Sequence, residues 1–235
     1  MNEGIYSEIA SEALKKVSGK VKDIAGGSKI VAVETDAGVG LAFVTGPLVD
    51  PAKYIGANVA DMVNDYATGD LTTTAYCLAA LNSFLVHRGK PDNKSWPERL
   101  NHAKKLAMVG AFGPVIEELQ NTGIEVVVFE LKDMPGAHKP SEAAALMPGC
   151  DAVLMTGATF SNRTAHTYFP HITPEADAHI SGPSTPMTDA LLKRFTLGSS
   201  IVTNKEEVFK AVRDGKCINC ISKYLEKVII PRAAV

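Results

Sequence analysis

Three short runs combine glycine or proline with hydroxyl and amide side chains, the mixture a small-molecule site uses. They are Gly110-Ala111-Phe112-Gly113-Pro114, Thr156-Gly157-Ala158-Thr159-Phe160-Ser161-Asn162-Arg163-Thr164 and Ser181-Gly182-Pro183-Ser184-Thr185-Pro186. Each follows an apolar segment, so each is expected at the carboxyl end of a strand, where open parallel sheets bind ligands. In a dinucleotide fingerprint the second glycine lets the backbone approach a pyrophosphate. Here that position is Phe112 and the third is Val115, so NAD and FAD are not expected. Pro114 suits the first turn of a helix and Gly113 leaves the backbone open, so a smaller anion or a ring edge could meet the helix start. A tight turn would use the same residues. Glu130 closes the second apolar run 20 residues after Gly110, where an acid can accept from ribose hydroxyls or simply be solvated. Thr156, Thr159, Asn162 and Thr164 also suit helix caps.

Metal ligands are sparser. None of the six histidines forms H-x-x-x-H or H-E-x-x-H. His166, His171 and His179 fall between the third and fourth strands of the second half and could converge on an ion. Cys217-x-x-Cys220 is half of a zinc or iron–sulfur set, which a homo-oligomer could complete with two thiols from each of two chains; otherwise these are ordinary buried thiols. Cys77 and Cys150 sit in apolar segments.

These residues need elements to hold them. Apolar residues at steps of three and four predict a helix over Ile5 to Val17. Strands are expected at Val21 to Ala25, Ile30 to Thr35 and Val39 to Thr45, then helices at Tyr54 to Tyr66 and Leu71 to Val86. Residues 88–101 are polar with two prolines and read as a linker. Beyond them strands at Lys105 to Ala111, Glu125 to Leu131, Ala152 to Thr156, Ala178 to Ser181 and Ser200 to Thr203 alternate with helices, the grammar of a Rossmann-like parallel sheet. The expected fold class is therefore α/β: a small α+β domain over 1–87, the linker, and a Rossmann-like domain over 102–235. The chain is 46% hydrophobic and 21% charged, an ordinary folded composition. With 24 basic and 26 acidic residues it offers no field of one sign to nucleic acid or an anionic membrane. No apolar run reaches membrane-spanning length and no signal peptide is evident, so the expected compartment is the cytoplasm.

Taken in order, the three loops resemble those of the family known as "putative heavy-metal chelation". Gly110, Phe112 and Pro114 match its first loop, Thr156, Gly157, Thr159, Asn162 and Thr164 its second, and Gly182, Pro183, Ser184 and Pro186 its third. Asn82, a lone amide on an apolar helix face, is similar to the family's helix asparagine. Arg163 departs from the small residue usual there. The resemblance implies an enolase N-terminal-like domain ahead of the Rossmann-like one. It also implies an interdomain cleft for a small ligand, with a role in heavy-metal or metal-cofactor handling. The function expected is binding of a polar heterocycle or a metal chelate, with Glu130 among the cleft residues. The alternative is a transferase using a nucleoside cofactor such as S-adenosylmethionine, since Glu130 and the glycine turn allow ribose recognition without a pyrophosphate. Whether the chain is an enzyme does not follow from the sequence.

Overall fold

In the computed structural model, residues 4–233 are described. Helix α1 (Gly4–Leu14) precedes three strands, β1 (Asp23–Gly26), β2 (Ile30–Thr35) and β3 (Gly38–Phe43), and then α2 (Val59–Thr68) and α3 (Thr74–Leu85). The strands form an antiparallel sheet in the order β1-β2-β3. Alternation along β2 decides how the sheet is covered. Val31 and Val33 pack with the helices α1 to α3, while Ile30 and Ala32 face the other way and are equally buried. Helix α2 starts at Val59 rather than Tyr54 because Gly56, at φ 80°, breaks the chain after a 3-10 turn at Pro51–Tyr54.

The stretch 88–101 carries structure of its own: β4 (Lys90–Pro91) and α4 (Trp96–Leu100). Ser95 and Glu98 cap α4 reciprocally. After it come β5 (Lys105–Val109), α5 (Gly113–Gln120), β6 (Glu125–Phe129), α6 (Ala143–Leu146), β7 (Ala152–Thr156), α7 (Ala158–Ser161) and α8 (Ala165–Tyr168). Next are β8 (Asp177–Ser181), α9 (Asp189–Leu192), β9 (Thr196–Val202), α10 (Lys205–Arg213), α11 (Ile218–Ile221) and β10 (Leu225–Ile230). The large sheet runs β4-β10-β9-β8-β7-β5-β6. Its pairings from β6 through β9 are parallel, while β10 is antiparallel to both β9 and β4. Strand β5 stops at Val109 instead of Ala111, since Gly110 turns to φ 84°. Strand β10 was not expected, and β9 starts four residues earlier than the apolar pattern suggests.

One apolar cluster joins α1, α2 and α3 to one face of the large sheet, through residues such as Tyr66, Leu81, Val109, Phe129 and Phe160. A second covers the opposite face of that sheet with α4 and α5. In a third, Val208, Phe209 and Val212 of α10 pack on Ile30, Ala32 and Leu41. A helix from the second half thus closes the outer face of the small sheet. Lys205 pairs with Glu34 and Arg213 with both oxygens of Asp23 along this seam. Among the described residues no helix is long and apolar enough to cross a membrane.

Candidate functional site

Strand β5 is flanked by β6 on one side and β7 on the other, so the chain reverses its direction of travel through the sheet between β5 and β7. Ligands of open α/β sheets bind outside such a switch point. The loops after these strands touch: a Cβ on Gly110 would stand 2.5 Å from Thr156 Cγ2. A cavity of about 1150 Å³ opens over this point.

Glu130 fastens two of the loops. Its Oε2 accepts from Ala111 N at 3.1 Å and its Oε1 from Lys132 N at 3.2 Å. Phe112 is the N-terminal cap residue of α5 and gives it no side-chain cap. After β7, Thr159 Oγ1 donates to Thr156 O, and Asn162 Oδ1 accepts from both Thr164 N and Thr164 Oγ1. That fixes the asparagine's carbonyl end, and its amide donors make no bond among the described residues. The cavity is also lined by Phe43, the last residue of β3, and by Val44 and Thr45 after it.

Of the residues expected at the site, Gly110, Phe112, Glu130, Thr156, Thr159, Asn162, Thr164, Gly182 and Pro183 line the cavity. Four others lie behind the wall, and their hydrogen bonds and packing say why. Ser184, fully buried, accepts from Phe43 N at 2.7 Å. Asn82 donates to Leu41 O at 3.2 Å and Pro183 O at 3.1 Å, with its own carbonyl oxygen buried and unpaired. Gly157 packs on the backbone of Ser184 and Thr185. Pro186 accepts from Thr188 N. Ser184 and Asn82 thus bind the loop after β8 to β3 and α3, Gly157 seats it on the end of β7, and the Pro186–Thr188 bond lies within the loop. Pro114 stands in the first turn of α5, and its side chain lies outside the described residues.

Arg163 does not narrow the cavity. Held at φ 57°, it points its guanidinium at Tyr66 O and over the Tyr6 ring, 4.0 Å from the centroid. Left-handed backbone in a residue other than glycine needs such external fixation. Tyr168 of α8 lines the cavity and was missed in the sequence, where it looks like another core aromatic. Burial, aided by the charge of Glu130, pushes its hydroxyl up to about 12, so it keeps its proton at neutral pH. Trp96 and Arg99 of α4 also reach the cavity, Arg99 paired with Asp92.

The histidines do not converge on an ion. His166 meets the Tyr6 hydroxyl at Nδ1. His179 is buried with its ring edge-on to Trp96 and its Nε2 2.9 Å from Asp177 Oδ2. That contact chiefly holds the Asp177 carboxyl below its usual range. His171 closes a separate 3-10 turn at Phe169–His171. Among the described residues no three His, Cys, Asp or Glu side chains are grouped to hold a metal. Cys217 and Cys220 are exposed rather than buried.

The pattern of the family described as "putative heavy-metal chelation" matches residues 95–231, and a second pattern of the same description matches residues 6–85. No protein with a curated description matches the chain. Among solved structures, a protein of unknown function of the DUF364 family from Desulfitobacterium hafniense superposes with a TM-score of 0.83 at 19% identity, over 97% of this chain and 98% of the other. Another of that family, from Pyrococcus horikoshii, gives 0.78 at 19% identity, over 96% and 99%. At such identity the likeness concerns the fold: a small antiparallel sheet joined to a large, mostly parallel one. The family pattern covers more than half of the sequence, and the chain belongs to the DUF364 family, described as "putative heavy-metal chelation".

Proposed function

We propose that the chain binds a small polar heterocycle or a metal chelate between the rim of the parallel strands and the segment after β3. The observation that carries this is the cavity of about 1150 Å³ at the switch point, lined by glycine turns, hydroxyls, amides, basic side chains and one loop-tying carboxylate. Apolar walls with a few fixed polar groups are the chemistry of a site for an organic ligand, and the volume leaves room for one.

The family description brings in a metal, and the donors present can be compared with what an ion needs. Neither cysteine nor histidine is among the described residues that line the cavity. Its carboxylates are Asp92, which pairs with Arg99, Glu118, and Glu130, whose two oxygens already accept backbone N–H groups. Soft heavy metals favour thiolate and imidazole, so these residues do not fit a bare heavy-metal ion. They suit a metal already wrapped in an organic ligand, or a heterocycle without metal, whose polar edge would meet Asn162 and Thr156.

A thermal-shift panel tests the reading: nucleosides, pterins and porphyrin-type metal chelates in one arm, the bare divalent ions in the other. A ligand at 100 times its dissociation constant adds about 2.7 kcal/mol. The organic arm is expected to contain a stabilising compound, with the bare ions inert. Stabilisation by bare ions alone would overturn the proposal.

A further inference from the structure

We propose that Cys217 and Cys220 form a redox-active dithiol that closes to an intramolecular disulfide by exchange with a low-molecular-weight disulfide. Neither cysteine lines the cavity, though Ile218 and Asn219 between them do.

The geometry comes from one turn of chain. Cys217 has an extended backbone, φ −89° and ψ 172°, and immediately precedes α11. Cys220 N donates to Cys217 O at 3.1 Å, which closes the turn and brings the two sulfurs to 3.6 Å, both side chains exposed. Rotation about the two Cα–Cβ bonds is the motion needed to bring sulfurs at this separation to bonding distance, about 2.05 Å. The chain's two other cysteines provide the contrast. Cys77 and Cys150 are buried, and burial pushes their thiols up to about 12 and about 11. At Cys217 the shift is downward, first from the Cys220 thiol and then from the backbone N–H groups of Cys220 and Asn219. Of the pair, Cys217 is assigned the first attack, the thiolate being the nucleophile.

The exchange balances in two steps. The Cys217 thiolate attacks one sulfur of R–S–S–R, the S–S bond breaks, and one RSH leaves after taking up a proton. Cys220 then loses its proton to solvent, and its sulfur attacks Cys217 Sγ in the mixed disulfide and expels the second RSH. Two protein thiols are oxidised and one disulfide is reduced to two thiols.

Oxidised glutathione is the probe, added to the reduced full-length chain near neutral pH. The reaction is quenched with acid, the remaining thiols are labelled with a maleimide after unfolding, and the intact mass is read. Wild type is expected to keep two of its four thiols and to carry no glutathione. Cys220→Ser should stop as the glutathione adduct on Cys217, and Cys217→Ser should react measurably more slowly. Neither variant touches the core, so both should fold. Four labels on wild type, a stable glutathione adduct on wild type, or disulfide-linked dimers in place of the internal bond would each overturn the proposal.

Discussion

At the residue scale, side chains chosen for their polarity divide into those that face the cavity and those that build its wall. Asn82 was conspicuous in the sequence because a buried amide must find partners, and Ser184 because of its place in the third polar loop. Nothing in a sequence says whether the partner is a ligand or the protein's own backbone, and for both it is the backbone. Glu130 was legible from its place at a strand end, yet its bonds to Ala111 and Lys132 could not be foreseen. An acid of the same kind went unremarked. Asp151 accepts from Lys104 N at 2.9 Å and Lys105 N at 2.8 Å, seating the start of β5. These N–H groups, Lys104 first, pull its carboxyl below the ordinary range. A carboxyl lowered by folding contributes stability that is present above its unfolded value, about 3.9, and lost as pH falls through the folded one. Wild type is therefore expected to exceed Asp151→Asn in stability at neutral pH and to converge with it in acid. Urea denaturation across that range checks this, and a gap that persists unchanged below the folded value would contradict it.

At the element scale, periodicity revealed the helices and strands with the clearest patterns, and glycines account for much of the rest. Strand β10 was missed because it begins Leu225-Glu226-Lys227, half polar, beside only the two-residue edge strand β4. Helix α4 was missed because Pro97 and its polar neighbours look like loop, although proline is well placed in a first turn. The contact between α3 and β3 has a cause invisible to periodicity. At Gly40 a Cβ would stand 1.9 Å from Ala79 O and 2.4 Å from Ser83 N, so helix backbone rests directly on strand backbone there. Gly40→Ala is expected to destabilise by about 1–3 kcal/mol or more, as overpacking does. Gly113, with nothing within 4 Å of its Cβ position, should accept alanine at little cost. Equal midpoints of denaturation for the two variants would show that the helix–strand approach is not tight.

At the scale of the whole molecule, the change of grammar near residue 88 was legible, and so were the two kinds of sheet. What could not be read was that α10 returns to cover the small sheet, because an amphipathic helix does not state which surface it covers. Phe209 is 3% exposed in that seam, and Phe209→Ala is expected to cost about 3–5 kcal/mol. Because the seam and the large cluster both join elements before and after residue 88, calorimetry should give a single transition that moves as one in this variant. Two separated transitions would mean that the halves fold independently. The same interlock holds Thr45, exposed at the end of the small unit, against the strand rim as one wall of the cavity. Thr45→Trp should crowd the side of the cavity next to β3 without disturbing the core. The most direct measurement is therefore the melting temperature of wild type and Thr45→Trp against the same panel of nucleosides, pterins and metal chelates. The predicted result is at least one compound that raises wild type by roughly 5–10 °C near saturation and leaves Thr45→Trp unmoved. Equal shifts in both proteins, or none in wild type across the panel, would contradict a ligand site between the strand rim and the segment after β3.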